Sequence, residues 1–156
     1  MATCELCHYG TTAQNCDRAK AHKCTQLANL QSQYGHKTFT CATPREIIGM
    51  AAAGVGEDLL LANEVVDRDR LNSLAKVSEK VRVTVAVDSN ATIIAAASAG
   101  LRDVLIDVNV GLKRCGVAPQ LAGQLADFAR KQKITVRGVM GYEGHLMMID
   151  GHEQLH

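Results

Sequence analysis

Aromatic side chains are scarce in this chain, whose 156 residues include no tryptophan, two phenylalanines and three tyrosines. An excess of charge of one sign is also missing, since the formal net charge is +1 and both signs are interspersed. Without a basic stripe interleaved with aromatic residues, nucleic-acid binding has no support. The apolar runs all fall short of the ~18 residues that a membrane span requires. We therefore expect a protein that binds neither nucleic acid nor membrane.

Aliphatic residues are what the chain has instead. Hydrophobic residues make up 47% of the sequence, mainly Ala, Val, Leu and Ile, which favours layered α/β packing over an aromatic-rich sandwich. The length suits one domain. No basic region followed by an apolar core opens the chain, so no secretory signal is recognised. The six cysteines are then expected to be free thiols in a reducing cytoplasm.

Helix and strand signals alternate from residue 19 onward. We expect an irregular N-terminal segment at 1–18, a barrel domain at 19–148 and a C-terminal tail at 149–156. Continuous aliphatic runs bounded by Gly, Asp or Asn are typical of buried parallel strands. Five such strands are predicted, with a weak sixth before Lys20; they span about 36–42, 58–62, 81–87, 103–109 and 134–140.

Capping residues predict where the helices begin and end. Thr43-Pro44-Arg45-Glu46 combines an N-cap, a first-turn proline and a capping-box glutamate, and Gly54 ends that helix. Asp67 or Asp69 opens the next helix, and 88–90 offers caps for an Ala-rich helix that ends at Gly100. Pro119 starts a helix whose Leu121, Leu125 and Phe128 fall on one face.

An internal repeat points to a barrel. Residues 54–63 and 100–109 share one layout: a helix end, a glycine, an aspartate, an aliphatic strand and an asparagine at its tip. A repeating strand–helix unit without a Gly-x-Gly-x-x-Gly fingerprint favours a (β/α) barrel over a dinucleotide-binding fold. A closed barrel needs eight units, so we expect an incomplete (β/α)8, TIM-type barrel with about five to six parallel strands.

Polar residues follow the predicted strands at the edge where barrel active sites lie. The run 104–108 ends in a glycine-containing loop that carries Arg114, and such loops build anionic-ligand sites. Lys20, Tyr142 and His145 complete a set suited to an anionic, aromatic ligand, since a desolvated lysine can form a Schiff base. The remaining tip residues are Thr43, Asn63, Glu64, Asp88, Ser89 and Asn109.

Five motifs in order resemble the D-threonine aldolase and D-serine dehydratase family, which are pyridoxal-phosphate enzymes of the alanine-racemase-like barrel fold. They are Ala-Lys20-Ala-His-Lys-Cys, Thr-Cys-Ala-Thr43, Leu-Leu-Leu-Ala-Asn63-Glu-Val-Val, Asp107-Val-Asn-Val-Gly-Leu-Lys-Arg114-Cys-Gly-Val and Gly-Val-Met-Gly-Tyr142-Glu-Gly-His145. The aldolase branch is the most similar.

The resemblance implies roles for four residues. Lys20 matches the lysine that holds pyridoxal phosphate, and Arg114 matches the arginine that contacts the phenolic oxygen of that cofactor. Tyr142 matches a tyrosine beside the pyridine ring, and His145 is a further cofactor-binding candidate. The implied partner is a small-molecule D-3-hydroxy amino acid, which the aldolase branch cleaves to glycine and an aldehyde. The possibility of a homo-oligomer stays open.

Two family features have no counterpart in this sequence. The resemblance places the phosphate-binding loops in the last barrel units, and the ligands of a divalent metal in a C-terminal β-domain, and neither is found here. We therefore expect weak or absent cofactor binding, and no aldolase turnover even with added manganese. The alternatives are a non-catalytic truncated relic, a D-serine dehydratase-like protein or a protein that only binds pyridoxal phosphate.

The N-terminal cysteines leave a choice open. Cys4-x-x-Cys7-His8 has the spacing of a haem-attachment motif, but that chemistry needs export. Zinc ligation by Cys4, Cys7 and two of Cys16, His22 and Cys24 is a second interpretation, and unremarkable reduced thiols are a third and preferred one.

Overall fold

The computed structural model describes residues 8–9, 12–13, 19–112 and 114–145, with the backbone alone for residues 8, 9, 12, 13, 19 and 20. The strands over these ranges are β1 (His8–Tyr9), β2 (Thr12–Ala13), β3 (Thr38–Cys41), β4 (Asp58–Leu61), β5 (Arg82–Val87), β6 (Asp103–Asp107) and β7 (Thr135–Met140). The helices are α1 (Ala19–His22), α2 (Thr25–Gln33), α3 (Pro44–Ala52), α4 (Arg68–Ser78), α5 (Asn90–Ala99) and α6 (Ala122–Lys131), the last preceded by a 3₁₀ turn at Pro119–Leu121.

Five parallel strands form one sheet in chain order, β3-β4-β5-β6-β7. Each strand pairs with the next one along the chain, and a helix connects each consecutive pair. A sheet that never reverses its order lacks the switch point of doubly wound folds and winds as a barrel does. All five strands lie inside the predicted ranges, so the prediction of a partial β/α barrel is confirmed.

The N-terminal segment contributes a short hairpin. β1 and β2 pair antiparallel, with His8 opposite Ala13 and Tyr9 opposite Thr12. This hairpin falls within 1–18, which the sequence predicts to be irregular. Residues 14–18, where the weak sixth strand would precede Lys20, lie outside the described residues, as does the predicted tail at 149–156.

Side-chain caps fix the starts of the helices that flank the sheet. The Thr43 hydroxyl accepts a hydrogen bond from the Glu46 amide at 3.3 Å, while the Glu46 carboxylate accepts from the Ala42 amide at 2.7 Å. Ser89 and Thr92 form a reciprocal capping box at α5. Asp67, rather than Asp69, caps α4.

One predicted apolar stripe is partly wrong. Leu125 is buried and Phe128 packs against the core, but Leu121 is 47% exposed. Leu121 lies in the 3₁₀ turn that precedes α6. A 3₁₀ turn has three residues rather than 3.6, which rotates Leu121 away from the face that α6 buries; Ala126 and Ala129 complete that face.

The two faces of the sheet differ in character. The outer face packs against the helices and forms the main core with Phe39, Leu59, Leu61, Val83, Val85, Val104 and Ile106. On the inner face Leu60 and Leu105 are each 1% exposed and contact Ala62 and Met140. No helix within the described ranges is long and apolar enough to cross a bilayer.

Candidate functional site

The carboxyl ends of the parallel strands meet at one edge of the sheet, where the candidate site lies. β6 ends at Asp107, which pairs with Met140 at the end of β7. The chain then forms a loop from 108 to 118 that folds back on β6. Val108 and Val117 form an isolated parallel bridge, and the Val117 amide donates to the Asp107 carbonyl at 2.9 Å. This pairing fixes the loop that carries Arg114.

Two glycines allow this loop to pack closely. Gly116 has φ of +95°, and a Cβ there would lie 2.6 Å from the Asn109 nitrogen. A Cβ at Gly111 would lie 2.7 Å from Nε2 of His145, so that imidazole packs directly on the glycine backbone. A side chain at Gly116 would meet backbone and open the loop, whereas one at Gly111 would displace the His145 ring.

Arg114 lies over an aromatic ring. Its Cζ is 5.6 Å from the ring centroid of Tyr142, within the range of a cation–π contact. Tyr142 is 41% exposed. The pKa of Arg114 is raised, first by its side-chain hydrogen bond with Cys115 and further by the nearby carboxylates Glu64 and Asp107. The guanidinium therefore stays charged at any working pH.

A cluster of acidic groups lies next to Arg114. A carboxylate oxygen of Glu64, one of Asp107 and the Sγ of Cys115 all lie within 4.8 Å of one another. Asp107 is 5% exposed, and its Oδ2 accepts a hydrogen bond from Cys115 Sγ at 3.4 Å. Asp88, at the end of β5, accepts from the Gly116 amide at 3.3 Å. Carboxylates from three neighbouring strand ends thus surround the arginine loop.

Burial and mutual repulsion change the protonation of this cluster. The pKa of Glu64 is raised from 4.5 to about 7, first by desolvation and then by its hydrogen bond with Asp107, with added repulsion from Asp107 and Asp88. Desolvation is also the main cause of the raised pKa of Cys115. The thiol is therefore neutral and is not an activated nucleophile.

The other residues that the sequence predicts for the site fall into three groups. Lys20 belongs to the short helix α1, and its side chain lies outside the described residues. His145 is half-buried, and its Nδ1 is buried without a hydrogen-bond partner among the described residues. Thr43 and Asn63 serve the local structure: Thr43 caps α3, and the Asn63 amide donates to the Ala42 carbonyl at 3.4 Å.

The sequence does not single out Asp107 and Cys115 as site residues. The predicted strand runs to residue 109, which places Asp107 inside it, whereas β6 ends at Asp107 itself. Asp107 is an ionisable side chain in an otherwise aliphatic run, and that pattern could have marked it as a site residue, because a buried charge needs partners.

The residues of the zinc hypothesis are only partly described. Cys4, Cys7 and Cys16 lie outside the described residues. His22 accepts from the Cys24 amide at 3.1 Å through Nδ1, and its Nε2 lies 3.1 Å from Gln31 Oε1. Cys24 Sγ donates to Gln26. Both residues thus make local hydrogen bonds.

Comparison with known proteins now places the chain in a family. Residues 17–155 match the family model of the alanine racemase N-terminal domain. A D-threonine aldolase from Arthrobacter sp is 32% identical over 133 residues, which cover 81% of this chain and 35% of that protein. A 3-hydroxy-D-aspartate aldolase from Paracoccus denitrificans (strain Pd 1222) is 26% identical over 142 residues, covering 86% and 37%.

A solved structure agrees with these sequence matches. The D-threonine aldolase from Filomicrobium marinum has a TM-score of 0.77 at 31% identity, covering 83% of this chain and 37% of that one. The chain thus spans between 35% and 37% of the length of these relatives. Because the family model matches nearly the whole chain and the sheet winds as a barrel does, this protein belongs to the alanine racemase N-terminal domain family.

Proposed function

We propose that this chain forms the barrel part of a pyridoxal-phosphate-dependent aldolase that cleaves D-3-hydroxy amino acids to glycine and an aldehyde. One observation carries the proposal: Arg114 is held over the ring of Tyr142 at the carboxyl ends of β6 and β7, in a chain related to D-threonine aldolases. Such an edge is where barrels of this kind bind their ligands.

The chemistry of these side chains fits the cofactor. Arg114 offers a permanent cation to an anionic phenolic oxygen, and Tyr142 offers an aromatic face to a heterocyclic ring. The buried Nδ1 of His145, unpartnered among the described residues, is a polar atom available to a ligand. Lys20 is proposed to carry the cofactor through its Nζ. These four residues form the proposed cofactor site.

The proposed reaction breaks the Cα–Cβ bond of the substrate. The bonding electron pair stays on Cα, the β-hydroxyl loses its proton as the aldehyde forms, and protonation of Cα gives glycine. When bound, pyridoxal phosphate supplies an electron sink for the charge that develops on Cα. Arg114 and Tyr142 bind and orient the cofactor, and the close packing at Gly111 and Gly116 holds the Arg114 loop in place.

Three further parts complete the proposal: the metal, the location and the assembly state. The divalent metal that the resemblance implies for the β-hydroxyl is assigned no ligands among the described residues. The free cysteines Cys24, Cys41 and Cys115 fit a reducing cytoplasm, which we propose as the location. Assembly into a homo-oligomer stays a prediction.

Trapping of the cofactor tests the site. The purified chain is mixed with excess pyridoxal phosphate, reduced with borohydride and digested, and the modified lysine is located by mass spectrometry. We expect weak binding with one main adduct on Lys20, lost in Lys20→Ala and kept in Lys80→Ala, a lysine at the opposite end of the sheet. Arg114→Ala should weaken binding about 10-fold or more, since a hydrogen bond to a charged group is worth ~1.5–3 kcal/mol.

Two results would decide against the proposal. Adducts spread over surface lysines, unchanged in Lys20→Ala, would favour a non-catalytic relic. The second result concerns a protein in which this chain is joined to the remaining barrel units and the C-terminal domain of the family. If that protein binds the cofactor on Lys20 but releases no glycine from D-threonine, even with added Mn²⁺, cofactor binding stands and the aldolase assignment fails.

A further inference from the structure

The Glu64–Asp107 pair has no role in the proposed function. Asp107 is the last residue of β6 and Glu64 follows β4, so carboxylates from two strand ends approach each other. Asp107 is 5% exposed and Glu64 is partly buried. Their closest oxygens and Cys115 Sγ lie within 4.8 Å of one another.

Two carboxylates this close, one of them buried and the other partly exposed, cannot both ionise at low cost, because each charge raises the pKa of the other. The described groups that face Glu64 are Asp107, Asp88, Cys115 and Arg114. Cys115 is neutral, and its Sγ donates to Asp107, so one cation faces three carboxylates. A proton held between Glu64 and Asp107 relieves this imbalance, in agreement with the raised pKa of Glu64.

We propose that Glu64 is a positioning residue of the cofactor site, which shares a proton with Asp107 and so sets the negative charge that faces Arg114. With the proton present, the pair carries one negative charge instead of two, so the guanidinium over Tyr142 faces two negative charges, one of them on Asp88, rather than three. With the proton lost, a second negative charge competes with the bound anion for Arg114.

A proton suits this cluster better than a metal ion does. The Arg114 guanidinium supplies a positive charge beside the carboxylates, and a divalent cation there would be repelled by it. We therefore assign no metal ligands in the cluster. The ionisation of Glu64 and Asp107 is governed by their interaction with each other and with the neighbouring charges.

Nuclear magnetic resonance tests the shared proton without cofactor. The carboxyl carbon signal of Glu64, identified by its loss in Glu64→Gln and its retention in the exposed control Glu79→Gln, is followed against pH. We expect a midpoint near 7, and a lower midpoint in Asp107→Asn. The Arg114 Nε–H signal is identified by its loss in Arg114→Lys. Its chemical shift should change with the same midpoint, and this change should vanish in Glu64→Gln. A Glu64 midpoint near 4.5, or an Arg114 signal indifferent to Glu64, would overturn the inference.

Cofactor binding tests the consequence, and this step alone rests on the proposed function. Between pH 7 and 8 the affinity of the wild-type chain for pyridoxal phosphate should fall, by up to about fivefold for a midpoint near 7. Glu64→Gln should lose that dependence and Glu79→Gln should keep it. The same pH profile in Glu64→Gln and wild type would contradict the positioning role. If no variant binds the cofactor, the proposed function fails, while the resonance titrations still decide the inference.

Discussion

Replacement of Arg137 by methionine should destabilise the fold strongly, although Arg137 lies outside the candidate site. Arg137 is the bulged residue of β7, where the register with β6 shifts between Val104 and Leu105. Its guanidinium donates to both oxygens of Asp58 at 2.8 and 2.6 Å and to the Thr84 hydroxyl at 2.6 Å. One side chain thus joins three strands on the inner face of the sheet.

The expected cost follows from burial. The side chains of Arg137 and Asp58 are only 13% and 14% exposed, so Arg137→Met leaves a largely desolvated carboxylate without this guanidinium. Breaking such a pair from one side costs about 3–5 kcal/mol, and the remaining exposure favours the lower figure. A loss of about 3 kcal/mol is a large share of the ~5–15 kcal/mol that holds a typical domain folded.

Urea unfolding followed by far-ultraviolet circular dichroism measures this loss, since the chain has no tryptophan. The matched control is Arg130→Met, which breaks the Arg130–Asp127 pair of 2.7 Å whose side chains are 60% and 69% exposed. An exposed pair contributes about 0.2–1 kcal/mol. The double variant Asp58→Leu/Arg137→Met should be less destabilised than Arg137→Met, because no unpaired charge remains. The reasoning is refuted if Arg137→Met costs no more than Arg130→Met.

Two further predictions concern the site edge. Gly116→Ala should destabilise the protein by roughly 1–3 kcal/mol more than Gly35→Ala in the same urea assay. Both positions have a similar positive φ, but of the two only Gly116 has backbone atoms within about 3 Å of the new Cβ. Equal losses would show that the loop relaxes freely. Glu64 should make the protein less stable as pH rises from about 4.5 to 7: its pKa is raised to about 7 in the folded state, so the folded state binds the extra proton. Because this carboxylate is only partly buried, solvent screening keeps the loss below the ~3 kcal/mol of the full shift. Glu64→Gln should flatten urea midpoints measured between pH 5 and 8, and an unchanged slope would contradict the assigned pKa.

Local patterns were enough to predict the strands and most helix starts. Aliphatic runs bounded by glycine and aspartate placed β4 and β6 within the expected ranges, and Ser89 and Thr43 cap the helices that their sequences predict. These features depend on residues within one turn or strand, so periodicity and capping chemistry determine them.

Features that depend on register were not predictable. The approach of Glu64 to Asp107 depends on how β4, β5 and β6 align, and the orientation of Arg137 depends on a bulge that no local signal marks. Leu121 departs from its predicted face because the chain enters α6 through a 3₁₀ turn. The proximity of Arg114 to Tyr142 combines both kinds of information: barrel topology brings the two strand ends together, but the contact depends on the loop that Gly116 allows.

The inner face of the sheet separates stability from chemistry. At the amino ends of the strands, Asp58 and Arg137 form an ion pair whose charges cancel, and Leu60 and Leu105 form an apolar layer above it. At the carboxyl ends, three carboxylates face one guanidinium, and the charge is left unbalanced. A balanced pair gains nothing from a ligand, whereas an unbalanced cluster changes its energy when a proton or an anion binds. Substitutions below the apolar layer are therefore expected to change the free energy of unfolding alone, whereas charge substitutions above it also change ligand affinity and its pH dependence.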